Sequence, residues 1–226
     1  MQIDGILIID KDKGLTSHDV VAAIRRKFNI KKVGHAGTLD PNAIGVLVML
    51  LGKGTKRSED FLQEEKEYIA TMKLGERTDS ADCKGKLIQE RPVNVTVEEV
   101  KTAVTSFYGD IEQIPPMVSA KKIRGKRLYK LARKGIEVER QPRKINISEI
   151  EIEKIELPYV VFRVACSKGT YIRQLADDIG EKLGCGAHLT ELRRTRSGEF
   201  TLERAMLLDT VLELSEDGLN ENIIRI

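Results

Sequence analysis

The sequence predicts an α+β fold, a mixed and mostly antiparallel sheet flanked by helices, and three observations carry that expectation. Short apolar or alternating runs that suit strands recur along the chain, three helical patterns stand apart among them, and no internal repeat or low-complexity linker interrupts the series. Ile3 to Ile9 reads as an opening strand. The turn at Lys13-Gly14 leads to a helix from about His18 to Phe28, with Ser17 as its cap and Val20, Val21, Ala23 and Ile24 on its core face. Gly34 to Gly45 holds three glycines and a proline and is expected to be a shaped loop, from which Val46 to Leu51 enters the core as a strand. Tyr68 to Leu74 alternates like a strand. Thr96 caps a helix that runs to Tyr108, with Glu98 and Glu99 in its first turn and Val100, Val104 and Phe107 at helical spacing. Ile145 to Ile155 has period two, Val160 to Ser167 is a further strand, and Thr170 to Leu183 is an amphipathic helix ended by Gly184.

The 226 residues, 41% hydrophobic and 32% charged, suffice for one large or two small domains with a sizeable core. No window reaches the roughly 18 consecutive apolar residues of a membrane span. The N-terminus lacks the basic flank and apolar stretch of a signal peptide, so the expected location is the cytoplasm, with no membrane role. Cys83, Cys166 and Cys185 are odd in number and too widely spaced for a disulfide framework or a zinc knuckle. The net charge of +3 hides an asymmetry: Lys121 to Lys144 carries eleven Lys/Arg against two Glu, so this segment is +9 and the remainder −6. One cationic surface on an acidic body is the footprint of a phosphate-backbone binder, although a solvated basic loop reads the same way.

The loop Gly34 to Pro41, GHAGTLDP, offers a single carboxylate, Asp40, among residues that allow close backbone approach. A glycine-rich loop that feeds a core strand is a good place for a site, while Asp before Pro is also an ordinary turn former. Two lookalikes fail on spacing. Gly52-Lys53-Gly54-Thr55 lacks the upstream glycine of a phosphate loop, and Asp79 with Asp82 does not follow a calcium-loop register.

Five ordered segments resemble the TruB family of pseudouridine synthases over roughly 200 residues: KGLTSHDVV from Lys13, GHAGTLDPNAIGVLVMLLGKGTK from Gly34, EYIATMKLGERTDSADCKG from Glu67, QIPPMVSAKKIRGKRLYKLARKG from Gln113 and CSKGTYIRQLADDIGEKLGCGAHLTELRRTRSG from Cys166. The resemblance implies the pseudouridine synthase fold with an inserted basic RNA-binding segment at about 115–145. It also implies isomerisation of uridine 55 in the T-loop of tRNA, without metal or cofactor and without an obligate protein partner. It places the catalytic aspartate on Asp40 and its arginine partner on Arg173. His35, Tyr68, Tyr171 and Leu192 match positions against the extruded nucleotide, Tyr68 being the stacking aromatic. Lys121, Lys122, Arg124, Lys126 and Arg127 are then expected to meet RNA phosphates. Asp12 stands where the family usually has proline, and Asn42 and Ile44 replace apolar and small residues beside the loop. The resemblance divides the chain into a catalytic domain, 1–210, and a short tail, 211–226, without the PUA domain that family members commonly carry.

That chemistry suits the residues. Pseudouridine formation breaks the C1′–N1 bond, turns the uracil and rejoins it through C5, which asks for one placed carboxylate that could add to the base, attack C1′ or take a sugar proton. An ionised carboxylate in a closed pocket needs a cation, and arginine suits a buried bidentate pair. A base extruded from folded RNA is commonly held by stacking on an aromatic. Each matched residue also has a plain reading: Arg173 as a surface arginine at a helix start, Tyr68 as edge-strand packing, Leu192 as core and His35 as polar surface. Two other functions fit the same features, a noncatalytic RNA-binding or RNA-chaperone protein and a synthase acting on a different RNA uridine.

Overall fold

In chain order the elements are β1 (Gly5–Lys11), α1 (Ser17–Lys27), β2 (Val33–His35), β3 (Ile44–Leu51), a 3-10 helix (Gly52–Arg57), α2 (Ser58–Gln63), β4 (Lys66–Leu74), β5 (Glu76–Thr78), β6 (Leu87–Glu90), α3 (Val97–Thr105) and β7 (Gly109–Gln113). There follow β8 (Lys122–Ile123), β9 (Lys126–Arg127), β10 (Arg143–Glu156), β11 (Tyr159–Cys166), α4 (Ile172–Lys182), β12 (Ala187–Ser197), β13 (Phe200–Thr201), a 3-10 turn (Leu202–Arg204), β14 (Met206–Leu207), α5 (Leu208–Glu213) and α6 (Glu216–Asn222). The structure, a computed structural model, describes residues 3–119, 122–123, 126–128, 136 and 138–226. They form two units, Met1–Ile69 with Glu191–Ile226, and Ala70–Thr190. Strands β4 and β12 each contribute residues to both.

The first unit is organised by the pairing of β1 with β3, antiparallel from Gly5 opposite Leu51 to Lys11 opposite Gly45. Successive strand residues face opposite sides, and these two strands are apolar on both. Leu7, Ile9, Leu47, Met49 and Leu51 pack on one side with Val20, Val21 and Ile24 of α1 and with Leu208, Val211 and Leu219 of α5 and α6. Ile6, Ile8, Val46, Val48 and Leu50 pack on the other with Phe61 of α2 and Phe200 of β13, whose rings are 5.7 Å apart. Covered on both faces, β3 is therefore the continuous apolar run that the sequence shows rather than an alternating one. Its neighbours are β1, parallel β12 at Arg193–Arg194, and β2.

In the second unit, antiparallel β7, β10 and β11 succeed one another, and β10 carries two bulges beside β11. Helix α3 opens with a complete capping box, Thr96 and Glu99 each bonding the other's backbone N–H. Arg77 of β5 forks onto Asp177 of α4, with Nε to Oδ1 at 2.7 Å and Nη2 to Oδ2 at 2.9 Å.

Three expectations shift. Thr16, not Ser17, caps α1, because its hydroxyl accepts from the Asp19 N–H while the Asp19 carboxylate accepts from Thr16. Helix α3 ends at Thr105, so Phe107 lies beyond it in a turn. Helix α4 starts at Ile172, with Tyr171 as an N-cap that makes no side-chain cap bond. Of the five basic residues expected to meet phosphates, Lys121 and Arg124 lie outside the described residues. Lys122, Lys126 and Arg127 belong to a two-residue antiparallel pairing of β8 with β9.

Arg77→Met is expected to destabilise the protein by about 2–3 kcal/mol in urea unfolding, because Asp177 keeps a nearly buried charge; a fully buried pair would give roughly 3–5. Adding Asp177→Leu should recover part of the loss, and a double variant weaker than the single one by the full value of a second deletion would contradict this.

Candidate active site

The loop between β2 and β3 is tied down from several directions within the first unit. Ala36 donates its N–H to Val48 O at 2.9 Å, and the Ala43 N–H returns to Asp40 O at 3.0 Å, closing a turn around Asp40 and Pro41. Gly14, in the turn before α1, donates to Pro41 O at 2.7 Å. The Ser17 hydroxyl accepts from the Leu39 N–H at 2.9 Å and donates to Leu39 O at 3.1 Å. The serine expected to cap α1 thus holds both backbone polar groups of the residue before Asp40. Such groups are costly to leave unpaired when buried.

Beneath the loop lie two charged side chains with almost no solvent exposure, Lys11 at 0% and Arg194 at 1%. Lys11 and Arg194 both stand opposite Gly45, one on β1 and one on β12. Gly45 has φ +105°, and a Cβ there would come within 2.2 Å of Arg194 O, so only glycine admits this close strand approach. Among the described residues neither cation has an ion-pair partner; backbone carbonyls receive them. Lys11 Nζ donates to Asp12 O and Leu15 O, both at 2.8 Å, with Pro41 O at 3.5 Å. Arg194 donates from Nε to Val46 O at 2.6 Å and from Nη2 to Gly37 O at 3.2 Å, bridging the two limbs of the loop. Burial lowers the Lys11 pKa from 10.5 to about 8, opposed by the carboxylates of Asp12 and Asp40 and assisted by Arg194.

His35 ends β2 with Nδ1 buried and, among the described residues, without a hydrogen-bond partner. Burial, then the nearby Arg194 and His18 charges, hold its pKa below the usual 6.5. Tyr68 of β4 and Leu192 of β12 are half-buried and belong to the same unit as His35 and Asp40. Tyr171 and Arg173 belong to the second unit. There the Gln113 amide clasps Tyr171, accepting from its N–H at 2.8 Å and donating to its carbonyl at 3.1 Å. Arg173 is buried rather than a surface arginine; it donates to Ser80 O at 3.0 Å and Val118 O at 2.9 Å and lies 3.8 Å from Asp82.

A family profile described as TruB family pseudouridylate synthase (N terminal domain) matches residues 25–172, more than half of the chain. The chain belongs to the TruB family. A second profile, the tRNA pseudouridylate synthase B C-terminal domain, matches residues 173–225. Among curated TruB relatives, the tRNA pseudouridine synthase B of Protochlamydia amoebophila is 51% identical over 99% of this chain and 84% of its own length. That of Opitutus terrae is 47% identical over 99% of this chain and 93% of its own, and that of Clostridium tetani 51% over 98% and 76%. Among solved structures, a chain of a Cbf5–Nop10–Gar1 complex matches at 34% identity with a TM-score of 0.78, over 98% of this chain. A chain of an H/ACA RNP bound to a substrate RNA containing 2′-deoxyuridine matches at 32% identity with a TM-score of 0.73, also over 98%. The chain spans about three fifths of those two chains, 60% and 58%. The fold of this TruB member is accordingly the α+β pseudouridine synthase fold.

Sequence reasoning named Asp40 but missed the side chains that hold its loop: Lys11, Ser17 and Arg194. It also missed Gln113, which holds Tyr171. The readable signal for Lys11 was period two: it falls two positions after Ile9 and four after Leu7, on the same side of the opening strand. Because the folded state sheds the Lys11 proton near pH 8 and the unfolded chain keeps it to about 10.5, the unfolded state binds more protons between those values. Stability relative to a Lys11→Met variant should therefore rise with pH from about 8 to about 10.5 and be flat below. Paired urea titrations across that range test this, and parallel pH profiles for the two proteins would refute it.

Proposed function

We infer that this TruB enzyme converts uridine 55 in the T-loop of tRNA to pseudouridine, with Asp40 as the catalytic carboxylate and the extruded base as its target. The observation that carries this reading is the clamp on the Asp40 loop: Ser17 holds Leu39, Gly14 holds Pro41, and Arg194 ties Gly37 to Val46. A carboxylate that must reach one ribose or one base cannot sit on a freely moving turn, since misplacement by about 1 Å can cost on the order of 100-fold in rate. The relatives carrying the name tRNA pseudouridine synthase B support tRNA as the substrate. The T-arm is the finer assignment and rests on the five matched segments.

In the reaction the C1′–N1 bond breaks, the uracil turns, C5 bonds to C1′, and the C5 proton is lost while N1 gains one, so substrate and product are isomers and no oxidant is consumed. Asp40 acts beside the ribose by adding to the base, attacking C1′ or taking a sugar proton. Arg173 is the proposed partner that keeps it ionised. Tyr68 stacks on the extruded base, Tyr171 and Leu192 line its pocket, and His35 lies against the RNA beside it. Lys121, Lys122, Arg124, Lys126 and Arg127 neutralise backbone phosphates. Residues 1–210 then serve as the catalytic domain.

Asp40→Asn should lower single-turnover isomerisation of a T-arm stem-loop more than about 10³-fold, while tRNA binding changes only a few-fold, since charge is removed and shape kept. Carbodiimide primer extension reads the product, and an Asn variant that loses less than about 10³-fold would end the assignment. Tyr68→Phe should retain the stack, whereas Tyr68→Leu loses a contact worth about 1–3 kcal/mol per base. A Leu variant with a lowered melting point and activity that tracks its folded fraction would reduce Tyr68 to a packing residue.

A further inference from the structure

A second concave surface lies wholly within the first unit, and of its lining only His35 has a role in the proposed reaction. It is a cleft of about 430 Å³ where the C-terminal turn of α1, the Lys31-Lys32 turn, β2 and the 3-10 helix converge. Arg25, Lys31, Lys32 and His35 line it together with the hydroxyl residues Thr55 and Ser58, and among the described residues no carboxylate does. Among the described residues Lys31 and Lys32 have no ion-pair partner. Arg25 is positioned in advance: its Nη2 donates to Val33 O at 3.0 Å, which fixes the guanidinium and leaves its other N–H groups for a ligand. Three uncompensated cations facing one hollow repel each other unless an anion enters, and the donors present, guanidinium, ammonium and hydroxyl, are those that phosphate oxygens accept.

His35 adds a directional donor. Among the described residues its buried Nδ1 has no partner, and because a buried N–H is costlier to leave unpaired than a lone pair, the tautomer with the proton on Nε2 is favoured. The ring therefore presents an N–H on its accessible edge. The hollow, about 430 Å³, is open to solvent, so a phosphate on an RNA strand has free access to it.

We propose that this cleft is a phosphodiester site, in which Arg25, Lys31, Lys32 and the His35 Nε2–H hold one backbone phosphate of the substrate RNA. The proposal rests on the RNA-modifying reading, because His35 lies five residues before Asp40 in one clamped loop and so ties the phosphate's position to the reacting nucleotide. It makes the cleft a register mark: the strand is fixed at this phosphate while the target base turns out.

The test uses the full chain and two matched double variants. Lys31→Gln/Lys32→Gln removes two charges from the cleft; Arg26→Gln/Lys27→Gln removes two from the same helix end outside it. Dissociation constants for a T-arm stem-loop are measured against salt concentration, with melting curves for each protein. The cleft pair should weaken binding by about tenfold and reduce the magnitude of the log–log salt slope by about 0.7–0.9, the value of one neutralised phosphate. The control pair should change the slope by less than half as much. Equal effects from the two pairs would make the cleft an undifferentiated basic surface and overturn the proposal, as would an unchanged slope in the cleft pair.

A second arm titrates inorganic phosphate into the RNA-free protein and follows the His35 ring signals by NMR. Perturbation of His35 in the wild type and its loss in Lys31→Gln/Lys32→Gln is the expected result; no perturbation up to tens of millimolar overturns the site. If phosphate perturbs His35 while the cleft pair leaves RNA affinity and slope untouched, the site serves a free phosphate compound, and the assignment to the RNA backbone fails. Neither arm reads isomerisation, so a wild-type protein that binds RNA without converting uridine would refute the enzymatic reading and leave the cleft still decided by these outcomes.

Discussion

Everything around the candidate carboxylate follows from the cost of burying Lys11 and Arg194 beside the same glycine. An isolated charge removed from water is expensive unless polar groups replace the lost hydration. Here main-chain carbonyls supply them, and those carbonyls belong to the segment that carries Asp40 and to the turn before α1. Loop and cations are mutually dependent: the chain must pass close enough to offer its oxygens, and it enters β3 through Gly45, whose positive φ admits that approach. A positive potential under the loop is the electrostatic by-product, and it favours a negative group above it.

The strands could be read because burial on both faces leaves a plain mark. Ile44–Leu51 is apolar at seven of its eight positions, and no polar alternation could have suggested a half-exposed strand. The Thr96 capping box was equally legible, since both partners lie within four residues. At Ser17 the same local logic failed. Two adjacent hydroxyl residues compete for one cap, and the choice was made by Leu39, twenty-two residues away, whose N–H and C=O draw the Ser17 side chain inward. Tertiary demand overrode a local preference.

Of the site, sequence showed the reacting group and concealed its support. Asp40 stands out as a lone carboxylate in a glycine-rich loop. Arg194, in contrast, sits in a run with Arg193 and Arg196 that reads as a solvated charged strand, yet Arg194 is fully buried while Arg193 pairs with Asp10 nearer the surface. Period two separates these neighbours onto opposite faces, but nothing local says which face is dry. Gln113 was similarly hidden, because a glutamine that grips a distant backbone at both ends has no pattern of its own.

The division of the chain has a consequence for synthesis. The second unit is one continuous stretch, Ala70–Thr190, whereas the first is assembled from Met1–Ile69 and Glu191–Ile226. On a ribosome adding roughly 5–20 residues per second, the interval between Ile69 and Ile226 lasts about 8 to 30 seconds. During it β1, α1 and β3 have been made, yet β12, β14 and helices α5 and α6, which with α1 cover Leu7, Ile9, Leu47 and Met49, have not. This apolar strand pair therefore waits for part of its cover, and the nascent chain is open to chaperone capture or aggregation through a segment that, once finished, is almost wholly buried.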